Sequence, residues 1–249
     1  MYRVEDYPAI QDNFFLKSRA IGASRKLCGK IGIITCFMKR RKSDFSEKTK
    51  NQYYTELNAA IQWLKDEAKR YGKTLEIDHF HYDIDVPLNA DPKDDYKLIK
   101  SFLNSESMDS TQTYLENKMG YNEMPFILAY DENARSFARS QWADSRYRVE
   151  ECSTVFKSGG RYNKSTIVHE LLHQFGAHDF YFPKEIKSLA ERYFGDSVMG
   201  IGRMTVDDLT AYLIGWKDTI SANTYWYLKE TAYMTEELYS KAISDAWEE

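Results

Sequence analysis

The chain has 249 residues, 43% of them hydrophobic and 29% charged, an ordinary globular composition in a chain long enough to bury a core. Thirty-four Lys and Arg against 38 Asp and Glu leave a net charge of −4, so no basic surplus points to a nucleic-acid partner. No apolar run of about 18 residues occurs, which excludes a transmembrane helix and removes any ground for a membrane partner.

The N-terminal residues MYRVEDYPAIQDNFF lack a basic region followed by an apolar one and do not read as a signal peptide. A cytoplasmic location is therefore expected, or a secreted one if a leader has been removed. Cys28, Cys36 and Cys152 are odd in number and widely spaced. That is the pattern of reduced thiols, not of a disulfide framework or a metal knuckle.

Residues 30–38, KIGIITCFM, are apolar and β-branched and predict a buried strand. Ser46 can cap the next segment, where Tyr53, Leu57, Ile61, Leu64, Ala68 and Tyr71 recur at steps of three and four until Gly72. This spacing predicts a long amphipathic helix with a stop signal. Residues 75–86 alternate and predict a second strand. Leu75 and Ile77 lie in one phase, whereas Phe80, Tyr82, Ile84 and Val86 lie in the other. The slip near Asp78 predicts a bulge or a change of buried face.

A helix is expected over 94–105, a third strand over 125–132 and a fourth within 145–156. The loop after it leads to a helix capped by Asn163 or Ser165. Past residue 180 the strand signals fade. Thr205 and Asp208 form a capping box ahead of 206–216, and 235–247 predicts a terminal helix. Residues 222–231 read equally as strand or helix. The expected class is α/β (α+β): a mixed twisted sheet with a long backing helix and an active-site helix, plus a smaller helix-rich C-terminal lobe. One domain, 1–249, then comprises subdomains 1–176 and 177–249.

The chemistry concentrates in HELLHQFGAHDFY, residues 169–181, which holds three of the five histidines. His169 and His173 are four apart on the expected helix and share a face. Two imidazoles on that spacing can hold one Zn²⁺ with bonds of about 2.0–2.1 Å. Glu170 lies beside such a metal and can take a proton from water, the part of a general base. Ile167, Leu171, Leu172 and Phe175 supply the opposite, core-facing surface. Gly176 can adopt positive φ, end the helix and turn the chain back. Three residues on, Asp179 is the natural third ligand, with His178, Glu185 and Glu191 as alternatives.

Residues 169–179 thus read His-Glu-x-x-His-x-x-Gly-x-x-Asp, which resembles the motif of the metzincin zinc peptidases. That family ends the motif in histidine, and its snapalysin-like members carry the aspartate found here. The segment DSVMG, residues 196–200, resembles the family's methionine turn. The resemblance covers about 169–200, and the upstream order of elements is consistent with it but much less specific. It implies a metzincin-like fold with His169, His173 and Asp179 on one Zn²⁺, and Met199 beneath the histidines without touching the metal. It further implies a zinc-dependent endopeptidase with Glu170 as general base and a protein or peptide substrate lying between the lobes. Such a substrate would pair with an edge strand falling within 139–156. Two rival readings are a zinc-containing binding module, closed by His178 as fourth ligand, and a metal-dependent hydrolase of a non-protein amide.

Two smaller features read as solvated surface. His79 and His81, with Asp83 and Asp85, form a polar strand face. The run KRRK, residues 39–42, is a charge cluster at a strand end.

Overall fold

The computed structural model describes residues 1–20, 24–95, 97–98, 115–139, 151–181, 183–200 and 204–248. The helix expected over 94–105 lies largely outside the described residues. After a one-turn helix, α1 (Pro8–Gln11), the first strand is β1 (Gly29–Lys39). Its near-continuous apolar run reflects cover on both faces. Ile31, Ile33 and Phe37 enter one core cluster, and Ile34, Cys36 and Met38 enter another. Ser46 caps α2 (Glu47–Arg70) by accepting the Thr49 N–H at 3.3 Å, and Gly72 ends it at φ +67°. The chain then returns as β2 (Leu75–Asp85), parallel to β1.

The β2 register runs unbroken from Gly29↔Leu75 to Lys39↔Asp85, so there is no bulge. The phase slip is a change of buried face. Leu75 and Ile77 join the core on the α2 side, and Ile84 and Val86 join the opposite one.

β3 (Phe126–Asn133), β4 (Phe137–Arg139) and β5 (Cys152–Lys157) complete a five-stranded sheet of order β2-β1-β3-β5-β4. Every pairing is parallel except β4 with β5. The strand falling within 139–156 is β5, and it is interior. Among the described residues the edge on that side is β4, which enters that range only at Arg139. The expected edge strand is corrected accordingly: three residues with no apolar alternation carry no strand signal.

Asn163, not Ser165, caps α3 (Lys164–His173), its side chain accepting the Ser165 N–H at 2.9 Å. The buried Gln174 amide locks α3 to the sheet. It accepts from Phe126 N at 3.2 Å and donates to Phe126 O at 2.9 Å and Ser153 Oγ at 2.7 Å. Ser153 in turn donates to the Glu170 carbonyl at 2.8 Å.

Helices α4 (Lys184–Phe194), α5 (Asp208–Leu213), α6 (Ala222–Glu230) and α7 (Glu236–Glu248) follow in the C-terminal part. Thr205 does not cap α5, because its hydroxyl donates to Asp196 O at 2.6 Å. Asp207 sits next to the helix and takes the Thr210 N–H at 2.9 Å. The ambiguous 222–231 segment is helical, capped by Ser221.

One core cluster runs from α2 and the sheet through α3 to Trp216, Tyr227 and Tyr239. The N-terminal segment packs against the C-terminal helices. Tyr2 and Ile220 exchange backbone hydrogen bonds of 2.8 Å, and Asn13 Nδ2 donates to Leu228 O at 2.7 Å. Cys28, Cys36 and Cys152 form no disulfide. Among the described residues no helix is long and apolar enough to cross a membrane.

Two surface readings change. Arg40 of the KRRK run is only 12% exposed at its side chain, donating to Ala90 O at 2.6 Å, with Asp95 and Glu132 each at 3.7 Å. It is a structural anchor and not a solvated charge. His79 is half-buried, its Nε2 3.1 Å from Thr35 Oγ1, and burial pushes its pKa down to about 4. His81, Asp83 and Asp85 are exposed as expected.

Candidate metal centre

One helical turn on α3 brings the Nε2 atoms of His169 and His173 to 3.2 Å from each other. Nδ1 of His169 lies 3.0 Å from the Val198 carbonyl, and Nδ1 of His173 lies 2.8 Å from the Ala177 carbonyl. A carbonyl only accepts, so each Nδ1 carries its proton there and leaves the Nε2 lone pair aimed at the other ring.

The chain must then reverse to bring a third group. Gly176 does this at φ +95°, and a Cβ at that position would lie 2.6 Å from the Ser18 carbonyl oxygen. Conformation and space therefore both demand glycine. The turn closes with Gly176 N donating to His173 O at 3.0 Å and Ala177 N to Leu172 O at 3.2 Å. It delivers Asp179 Oδ1 to 2.9 Å from His169 Nε2 and 3.2 Å from His173 Nε2.

A tetrahedron around zinc with bonds of about 2.0–2.1 Å has edges of ~3.3 Å. The triangle seen here, with edges of 2.9, 3.2 and 3.2 Å, is close to one face of it. Asp179 Oδ1 is buried and faced by the two histidine nitrogens. Two neutral imidazoles and one carboxylate, all presenting acceptors to one point, suit a divalent cation with a fourth position left over.

The electrostatics fit the same picture. Burial opposes a charged His169, but the hydrogen bond and charge of Asp179, with help from Glu170 and the Val198 carbonyl, push its pKa up to about 9. Burial likewise opposes the Asp179 carboxylate, yet the charges and hydrogen bonds of His173 and His169 hold its pKa well below the usual range. Without a metal, a proton is the cation this site collects. Glu170 is 7% exposed, and burial raises its pKa against the lowering effect of both histidines.

The alternative ligands lie elsewhere. His178 points into the core, its Nε2 2.8 Å from Ser18 Oγ and its ring packed by Phe14, Phe15 and Tyr239. Glu185 and Glu191 are exposed on α4. Met199 is fully buried in a turn closed by Gly200 N donating to Ser197 O at 3.0 Å. This turn supports the site directly: Val198 O holds His169, and Met199 O accepts the Phe180 N–H at 3.0 Å.

Sequence reasoning missed two neighbours. Tyr181 stacks on the His169 ring at 5.8 Å, its hydroxyl 3.4 Å from Nε2. Nothing in spacing marks it among 19 tyrosines. Arg135, exposed between β3 and β4, acts electrostatically on both Glu170 and Tyr181. Tyr181 also borders a cavity of about 310 Å³, walled by Phe180, Ala190, Glu191 and Phe194 among others. No protein-family model matches the chain, and no curated protein matches it.

Proposed function

We propose that the chain is a zinc-dependent peptidase of metzincin-like fold. The observation that carries this reading is the convergence of His169 Nε2, His173 Nε2 and Asp179 Oδ1 within 3.2 Å, beside the buried Glu170. When bound, zinc would supply a Lewis acid that polarises the scissile carbonyl and lowers the pKa of water toward ~7. Glu170 accepts the proton of the attacking water and passes it to the leaving amine. The Tyr181 hydroxyl stands where it can donate a hydrogen bond to the developing oxyanion. An extended peptide would lie along the centre, and the cavity beside Tyr181 would take one of its side chains.

The placement of His178 weighs against a closed, purely structural zinc site, since its ring is committed to Ser18 and the aromatic core. The test is Glu170→Gln. Fold and zinc content should survive, because Glu170 is not among the converging ligands. Hydrolysis of unstructured protein or a mixed peptide library should fall by about 10²–10⁴ for a lost general base. Chelator-sensitive cleavage that is unchanged in Glu170→Gln would rule the mechanism out.

A further inference from the structure

Asp179 sits on a loop, unlike the two histidines of α3, so something other than a helix must hold it to the few tenths of an ångström a metal site requires. The residues before it are fastened from behind. Ser18 Oγ donates to the Gly176 carbonyl at 2.7 Å and lies 2.8 Å from His178 Nε2. With the hydroxyl proton on Gly176 O, the His178 ring donates to Ser18 Oγ, so one serine grips the turn at two points. The Ser18 carbonyl also occupies the space that a side chain at position 176 would need.

His178 faces away from the centre, its ring centroid 5.2 Å from Phe14, 5.1 Å from Phe15 and 5.7 Å from Tyr239. With His178 seated in this aromatic socket, the next residue, Asp179, faces His169 and His173 on the other side. Tyr239 of α7 adds a hydrogen bond from its hydroxyl to the Asp179 carbonyl at 3.3 Å.

We infer that Ser18 and Tyr239, from opposite ends of the chain, are positioning residues for Asp179, and that the N-terminal segment is an integral part of the metal centre. The inference rests on the metal-binding reading above. It makes docking of residues 14–18 and metal binding thermodynamically linked, because the same turn serves both.

The test uses full-length protein titrated with cobalt(II), whose visible absorption reports both affinity and ligand geometry. Ser18→Ala removes one oxygen and should weaken cobalt binding about 10-fold, with Tyr239→Phe acting in the same direction. In an Asp179→Ala background, Ser18→Ala should leave the remaining affinity unchanged, since the group it positions is gone. A loss of equal size in both backgrounds would mean general loosening and overturn the inference, as would unchanged affinity in both single variants. Wild-type protein that takes up no cobalt would overturn the metal-centre reading itself. Uptake with unshifted variants would overturn only the positioning role.

Discussion

Replacing Gly176 by alanine perturbs a single atom position on which both fold and site depend. The backbone there has φ +95°, beyond the ordinary left-handed well, which costs a non-glycine residue about 1–2 kcal/mol. The new methyl would also stand 2.6 Å from the Ser18 carbonyl oxygen, a backbone atom that can only retreat by moving the N-terminal segment. Overpacking of that kind adds about 1–3 kcal/mol. The sum, roughly 2–5 kcal/mol, is a large share of the ~5–15 kcal/mol that holds an ordinary domain together. The same shift moves Asp179, so zinc affinity should fall about 10-fold or more. Urea unfolding with chelator measures the first effect. The added stability in excess zinc measures the second, since each tenfold loss of affinity removes about 1.4 kcal/mol from it. Metal-free stability within about 0.5 kcal/mol of wild type would refute the steric reasoning. Lost stability with an undiminished zinc increment would show that the turn does not position the ligand.

Three further outcomes are expected. Asp179→Ala should cut zinc affinity sharply in a competition titration, and full retention would remove it as a ligand. In the metal-free protein His169 keeps a proton up to about pH 9, which zinc must displace. Affinity should therefore rise about tenfold per pH unit from 7 to 8 and level off above 9, and a flat profile over that window would contradict the protonated site. Gln174→Leu takes the side-chain partner from the Phe126 amide and the Phe126 carbonyl and one donor from Ser153, all in the core. It should cost about 2–4 kcal/mol in denaturant unfolding, and a change below about 0.5 kcal/mol would show those groups find other partners.

Legibility followed locality. The three- and four-residue spacing of α2, the apolar run of β1 and the cap at Asn163, one of two candidates, all report interactions within a few residues. Gly176 was readable because a positive φ is a property of one residue. That His169, His173 and Asp179 come together followed from helix periodicity plus that turn, and His178 was separated from them only by seeing which side of the turn it faces. What escaped was short or distant. β4 has three residues and borrows its identity from β5. Asp207 outcompeted Thr205 as a cap because Thr205 is already engaged by Asp196, nine residues away. Tyr181 owes its place to the His169 ring, and no pattern along the chain announces a ring contact.

The docking of residues 13–18 onto the last third of the chain also bears on how the molecule can be made. Ser18 meets Gly176 across 158 positions, and Asn13 meets Leu228 across 215. Emerging from a ribosome, β1, α2 and β2 can pair as soon as about residue 85 is out, because their contacts are near neighbours in the chain. Residues 13–18 must wait until residues 176–228 are out, with Phe14 and Phe15 uncovered meanwhile. Closing loops of that size is slow, and the exposed rings invite chaperone binding or aggregation in the interval. A nascent chain halted before α7 would lack Tyr239, so the turn carrying Asp179 would be secured only once α7 has emerged. On the metal-binding reading proposed above, a product truncated before α7 would carry His169, His173 and Asp179 yet hold them loosely.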